Sequence, residues 1–187
     1  MRRVGKQKVI TLALKILLPI ACCLWIAFIF TNSLQAGGES SSQSAAVVET
    51  VQRVAQAIAP ESTIANATGE AYDKLHSAVR ACAHVTEFAV LGLLVGWCYF
   101  AYTLNWKLYF IPLLGALFVA LLDEWLQTFV DGRAWEVTDL LLDSLGGLAG
   151  VMFAALSVVL GLLIYEKRIM GVPCTQIQRG NYGTRKP

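Results

Sequence analysis

Charge is scarce in this chain. Asp, Glu, Lys and Arg make up 15% of its 187 residues, against roughly 25% in soluble domains. Metal-knuckle and redox spacings are absent too. Cys22, Cys23 and Cys98 sit in apolar sequence, Cys82 stands alone beside it, Cys174 lies near the C-terminus, and no C-x-x-C pair occurs, so no disulfide or thiolate metal site is implied. There is no glycine-rich nucleotide loop, no internal repeat, and no Ser or Cys nucleophile beside a base, which disfavours covalent catalysis. The net charge of +2 gives no nucleic-acid signal.

What is present is hydrophobic length. Apolar residues make up 56% of the chain and fall in four runs: Val9 to Phe30, Val85 to Leu104, Leu108 to Leu122 and Leu140 to Tyr165. The third is short and continues through Trp125, Leu126 and Phe129. About 20 apolar residues cross a hydrocarbon core as a helix, and helices satisfy their own backbone in lipid. The expected fold is therefore all-α: a polytopic membrane protein with spans at about 9–30, 84–104, 107–127 and 139–165. The first run has a basic front (Arg2, Arg3, Lys6, Lys8), as a signal peptide would. Its apolar stretch exceeds the usual signal core of about 7–15 residues, and Leu34 before Ala36 makes a poor cleavage site, so it reads as a retained helix.

Basic flanks mark the cytoplasmic side. They occur at residues 1–8, at Lys107 between spans two and three, and in the tail 166–187 (Lys167, Arg168, Arg179, Arg185, Lys186). The tail from Ile169 reads as a short disordered segment. Loop 31–83 is mixed and the turn Asp123 to Asp139 mostly acidic. The expected topology is a multi-pass protein of the cell membrane with both termini cytoplasmic and the two acidic loops outside. In the outer loop, Val47, Val51, Val54, Ala55 and Ile58 recur at helical spacing. They predict an amphipathic helix over 43–59, packed on the bundle or lying on the bilayer. Residues 61–69 read as a turn, and a second helix begins near Glu70 and runs into span two.

Each span carries its polar residues at the outer end. Span one ends with Asn32, Ser33 and Gln35. Span two begins with His76, Arg80, His84 and Glu87, all on one helix face. Span three ends with Asp123, Glu124 and Gln127, followed by Asp131-Gly132-Arg133. Span four begins with Asp139 and Asp143. Ionisable groups inside a membrane are costly, and they pair or serve function. Asp139 also reads as a helix cap, and Arg133 as a surface partner of Asp131 or Glu136. Glu87 and Asp143 lie a turn deeper and are expected inside the bundle. The stripe Gly146, Gly150 and Ala154 permits close helix approach in lipid, with Asp143 one turn before it.

Counted together, Arg80 and Arg133 face Glu87, Asp123, Glu124, Asp139 and Asp143. An acidic set of this kind repels a bare phosphate and favours a cation, a shared proton or a cationic ligand. His84, Glu87, Asp123 and Asp143 are candidate ligands for a divalent metal; no other cofactor is indicated. The same groups would serve equally as ion pairs that lock helices together.

These residues also carry a family resemblance. Phe30-Thr31-Asn32-Ser33-Leu34-Gln35 resembles an F-x-x-S-x-Q block. Arg80 to Phe88 resembles R-K-x-x-H-x-x-E-Y, with Ala81 for Lys and Phe88 for Tyr. Asp123 to Phe129 with Gly132-Arg133 resembles D-E-x-x-Q-x-F-x-x-G-R. Asp139 to Gly150 resembles D-x-x-x-N/D-x-x-G-x-x-x-G. Together, over about 28–160, they resemble the VanZ-like family, the group that includes the teicoplanin-resistance protein VanZ. The resemblance implies a four-helix membrane protein of the bacterial cell envelope. It supplies no reaction, and glycopeptide resistance in some members does not transfer on fold alone. Three roles stay open. The first is a pocket of Ser33, Gln35, Arg80, His84, Glu87, Asp123, Glu124, Gln127, Arg133, Asp139 and Asp143 that binds a lipid-linked envelope precursor or a lipoglycopeptide. The second is a membrane enzyme using Glu87, Asp123 and Asp143 for acid–base or metal-assisted chemistry. The third is a structural ion-pair network with no ligand.

Overall fold

The computed structural model describes residues 2–170, with side chains for 11–165. The side chains of Arg2, Arg3, Lys6, Lys8, Lys167 and Arg168, and the whole segment 171–187 with Cys174, lie outside the described residues. The described chain is helical, with no strand. Its elements are α1 (Arg2–Ser33), α2 (Gly37–Ile58), α3 (Glu70–Tyr102), a 3-10 turn (Trp106–Leu108), α4 (Phe110–Gln127) and α5 (Val137–Met170). Four stretches are long and apolar enough to cross a membrane: Thr11–Ser33, Glu70–Tyr102, Trp106–Gln127 and Val137–Tyr165. Many of their large side chains point away from the protein, among them Leu12, Leu24, Phe118, Leu145 and Met152. In water that surface would be a liability; in a bilayer it is the lipid face.

The tightest seam joins α3 to α5. A Cβ on Gly146 would strike the Val85 carbonyl, one on Gly150 the Ala89 carbonyl, and one on Gly92 the Gly147 carbonyl. The small-residue stripe thus brings two backbones into direct contact, where dispersion replaces the missing hydrophobic drive. Ile29, Phe88, Leu91, Ala116, Val119 and Ala120 form the buried core between α1, α3 and α4. Away from the polar end, Trp97 Nε1 donates to Ser157 Oγ at 2.8 Å, and Lys15 of α1 rests over the Tyr102 ring at 5.4 Å.

Helix α3 has 33 residues. At about 1.5 Å per residue it is roughly 50 Å long, well beyond a hydrocarbon core of about 30 Å. Its first turns therefore project past the bundle, where α2 packs on them. α2 begins at Gly37 rather than at 43. Ser40, Ser41 and Ser42 are therefore helical, and hydroxyls along this stretch bond back to the preceding turn, Ser42 to the Glu39 carbonyl at 2.7 Å and Ser44 to that of Ser40 at 3.2 Å, which satisfies the hydroxyls without driving the helix. The apolar stripe is only partly covered. Val51 and Ala55 are half-buried while Val47, Val54 and Ile58 are exposed, and the fully buried residue of α2 is Val48, which the predicted stripe does not include. Gln52 and Gln56, one turn apart, donate to the carbonyls of Ala67 and Ala65 and clamp the turn that leads into α3.

A polar cavity above a buried carboxylate cluster

The ends of α1 and α4 and the starts of α5 and of the buried part of α3 meet at one end of the bundle. Five of the polar side chains there, His76, Arg80, His84, Glu87 and Asp123, are tied to a neighbouring helix. His76 bonds the Ser41 carbonyl of α2 at 3.1 Å. Arg80 donates to Asp139 Oδ2 of α5 at 3.1 Å. His84 Nδ1 lies 3.0 Å from Asp143 Oδ1, and its Nε2 lies 3.6 Å from Asp139 Oδ2. Glu87 accepts from Asn32 Nδ2 of α1 at 2.9 Å, and its carbonyl accepts from Trp25 Nε1 at 2.9 Å. One face of α3 thus serves three neighbours in turn, because successive i+4 and i+3 steps climb the helix past each of them. On α4, Asp123 accepts from Ser33 Oγ of α1 and from Gln127 Nε2 at 2.9 Å. Glu124 Oε2 accepts the Glu136 N–H at 3.0 Å, which anchors the α4–α5 turn.

Two pairings differ from the sequence reading. Asp139 is not the residue before α5 but lies in its first turn, and its buried side chain, in place of capping amides, holds Arg80 and His84. Arg133 pairs with neither Asp131 nor Glu136. Among the described residues it makes no ion pair within 4.0 Å, and its buried Nε has no hydrogen-bond partner. The turn that carries it is pinned from outside. Gly132 has φ +76°, a left-handed conformation that suits glycine. The Gly37 N–H at the start of α2 donates to the Asp131 carbonyl at 3.2 Å. A Cβ on Gly37 would lie 2.5 Å from the Gly132 oxygen, so the contact needs a bare backbone. Burial first, then the neighbouring Arg80, pull the Arg133 guanidinium below its ordinary pKa, while Asp123, Asp139 and Glu124 oppose them.

A cavity of about 170 Å³ opens among these groups. Ser33, Gln35, Arg80, His84, Glu87, Asp123, Gln127 and Arg133 line it, together with Asn32. Ser40, Gln43, Ser44 and Val47 of α2 complete the wall. The sequence reading assigned those four no site role, although 40, 44 and 47 share one helix face pointing back at the bundle. Glu124, Asp139 and Asp143 do not line the cavity. The charge count changes accordingly. The lining holds two arginines and two carboxylates, so the negative excess belongs elsewhere.

It belongs to a second arrangement. Oxygens of Asp123, Glu124 and Asp143 lie within 4.8 Å of one another, all three residues being buried. The quartet expected to hold a metal is thereby revised. Glu87 turns to Asn32, His84 reaches the cluster only through Asp143, and Glu124 takes a place in it. Glu124 follows Asp123 on α4, and although adjacent residues leave a helix in different directions, an oxygen of each reaches the deep acid of α5. Asp123 belongs to both arrangements, since it lines the cavity and joins the cluster.

Four apolar membrane-length helices around a polar end define a polytopic helical-bundle membrane protein. The VanZ/LLP1 family model matches residues 18–161, and the chain belongs to that family. No curated protein and no solved structure matches it.

Proposed function

We propose that this cell-envelope protein uses its polar cavity, turned to the outside, to receive the headgroup of a lipid-linked envelope component or a lipoglycopeptide. The observation that carries the reading is Arg133. It is a cation in the cavity wall with no ion pair among the described residues and with an unpartnered buried Nε. A guanidinium in that state is suited to a phosphate or carboxylate, which it grips with two parallel N–H bonds. Hydroxyls and amides of Ser33, Ser40, Gln43, Ser44 and Gln127 surround it and suit a hydroxylated headgroup. The balanced charge of the lining removes the repulsion that the sequence count implied. The apolar tail of such a ligand would lie in the bilayer against the lipid face.

Orientation follows from the basic flanks. Lys107 sits at the opposite end of the spans from the cavity, and in the sequence the other basic clusters precede span one and follow span four, which supports an outward-facing cavity with cytoplasmic termini. The test uses the full chain in nanodiscs and a photoreactive polyprenyl diphosphate-linked sugar. Labelling concentrated on α2 and α4 around Gln43 and Gln127, and lost in Arg133→Ala, is expected. Uniform labelling along the lipid face, unchanged in that variant, would remove the proposal.

A further inference from the structure

The three converging carboxylates are incompletely satisfied. Asp123, Glu124 and Asp143 are at most 1% exposed. Asp123 uses both oxygens, toward Ser33 and Gln127. Glu124 uses Oε2 and Asp143 uses Oδ1. Glu124 Oε1 and Asp143 Oδ2 are fully buried with no hydrogen-bond partner. Orphaned anionic oxygens inside a membrane bundle are among the costliest groups a protein can hold. The nearby cations do not close the account. His84 is bonded to the other oxygen of Asp143, and Arg133 stands beyond ion-pair distance. Two such oxygens, on two residues of one cluster, point to a missing partner.

We infer that Asp123, Glu124 and Asp143 bind a single hard divalent cation, of the Mg2+, Mn2+ or Ca2+ class, beneath the cavity. Ligand oxygens at about 2.1–2.4 Å from one ion lie no more than about 4.2–4.8 Å apart, and the three acids converge within that span. An all-carboxylate set selects hard cations over zinc or copper, which favour nitrogen and sulfur. His84 is a positioning residue here: it orients Asp143 from outside, as hydrogen-bonded partners of metal carboxylates do. The site stands independently of the headgroup reading. It would also link the two arrangements, since Asp123 is common to both.

Mn2+ is the probe. The full chain in nanodiscs, stripped with EDTA and dialysed against Mn2+ without any lipid-linked ligand, is expected to bind about one ion per chain and to melt at a higher temperature than the stripped form. Glu124→Gln and Asp143→Asn should each weaken binding by about 10-fold or more, and His84→Ala by about 10-fold, whereas exposed Glu49→Gln should change nothing. Pulsed EPR of the wild-type protein should show no directly bound imidazole nitrogen, a readout that survives even if a variant fails to fold. Wild-type protein that takes up no stoichiometric Mn2+, with identical melting in EDTA, would mean that the carboxylates hold protons instead and would overturn the assignment. A strong nitrogen coupling would overturn it equally, by making His84 a ligand. Because no headgroup is present in this assay, its failure leaves the cavity proposal to its own test.

Discussion

His84 Nδ1 and Asp143 Oδ1 meet at 3.0 Å across the seam between α3 and α5, one turn above the glycine stripe that lets the two helices touch. Sequence places the acid three residues before Gly146; close approach of the two helices then brings the imidazole within hydrogen-bond reach of it. Asp143 is fully buried, so deleting its partner leaves a bare carboxylate beside the buried acids Asp123 and Glu124. His84→Ala is expected to cost about 3 kcal/mol of stability, measured by denaturant titration in mixed micelles. A cost within the range of an ordinary surface substitution would show that the pair contributes no structural energy.

Arg80 and Arg133 should separate cleanly. Arg80 is paired with buried Asp139, so Arg80→Ala strands that acid and should lower the melting temperature. Arg133 has no ion pair to lose. Arg133→Ala should melt like the wild type yet bind an anionic headgroup about 10-fold to 100-fold more weakly, the loss of a charge-assisted contact. Melting curves and headgroup binding on the same two preparations decide it; equal destabilisation by both changes would place Arg133 among the structural residues.

The glycine seam makes a sharper contrast. Gly150→Ala drives a methyl into the Ala89 carbonyl and the Leu93 amide, while Gly161→Ala meets nothing within 4 Å. The first should sharply reduce folded yield, because neither obstacle is a flexible side chain. The second should be neutral or slightly stabilising through helix propensity. Size-exclusion profiles in detergent report both.

Gly37 tests whether α2 shapes the cavity. Gly37→Val pushes against the Gly132 oxygen and should loosen the turn that carries Arg133, without touching the α3–α5 seam. Hydrogen exchange is expected to rise in residues 128–136 and to stay flat in Leu140 to Ala154. Unchanged exchange in the turn would show that Gly37 does not hold it.

Much of the architecture was legible in the chain itself, for a local reason. Hydropathy and length predict that four segments cross a bilayer, and helical spacing puts His76, Arg80, His84 and Glu87 on one face, because both depend only on residues a few positions apart. The same locality sets α3 running from Glu70 and lets the small-residue stripe of α5 be seen before its partner is known. The start of α2 at Gly37 is not legible in the sequence, because serine hydrogen-bonds nearby backbone in non-helical conformations and a run of serines favours caps and turns.

Pairing was beyond that reach. Arg80 and His84 find acids 59 residues away, Asn32 finds Glu87 across 55, and Ser33 finds Asp123 across 90. A one-step change in helix register would exchange every one of those partners. The order of residues along the chain alone determined that it lives in a membrane and gathers its polar groups at one end. Tertiary packing alone decided that these groups divide in two, a charge-balanced cavity walled partly by α2 and a carboxylate trio beneath it, because only the fitted helices set which oxygen is satisfied and which is left bare.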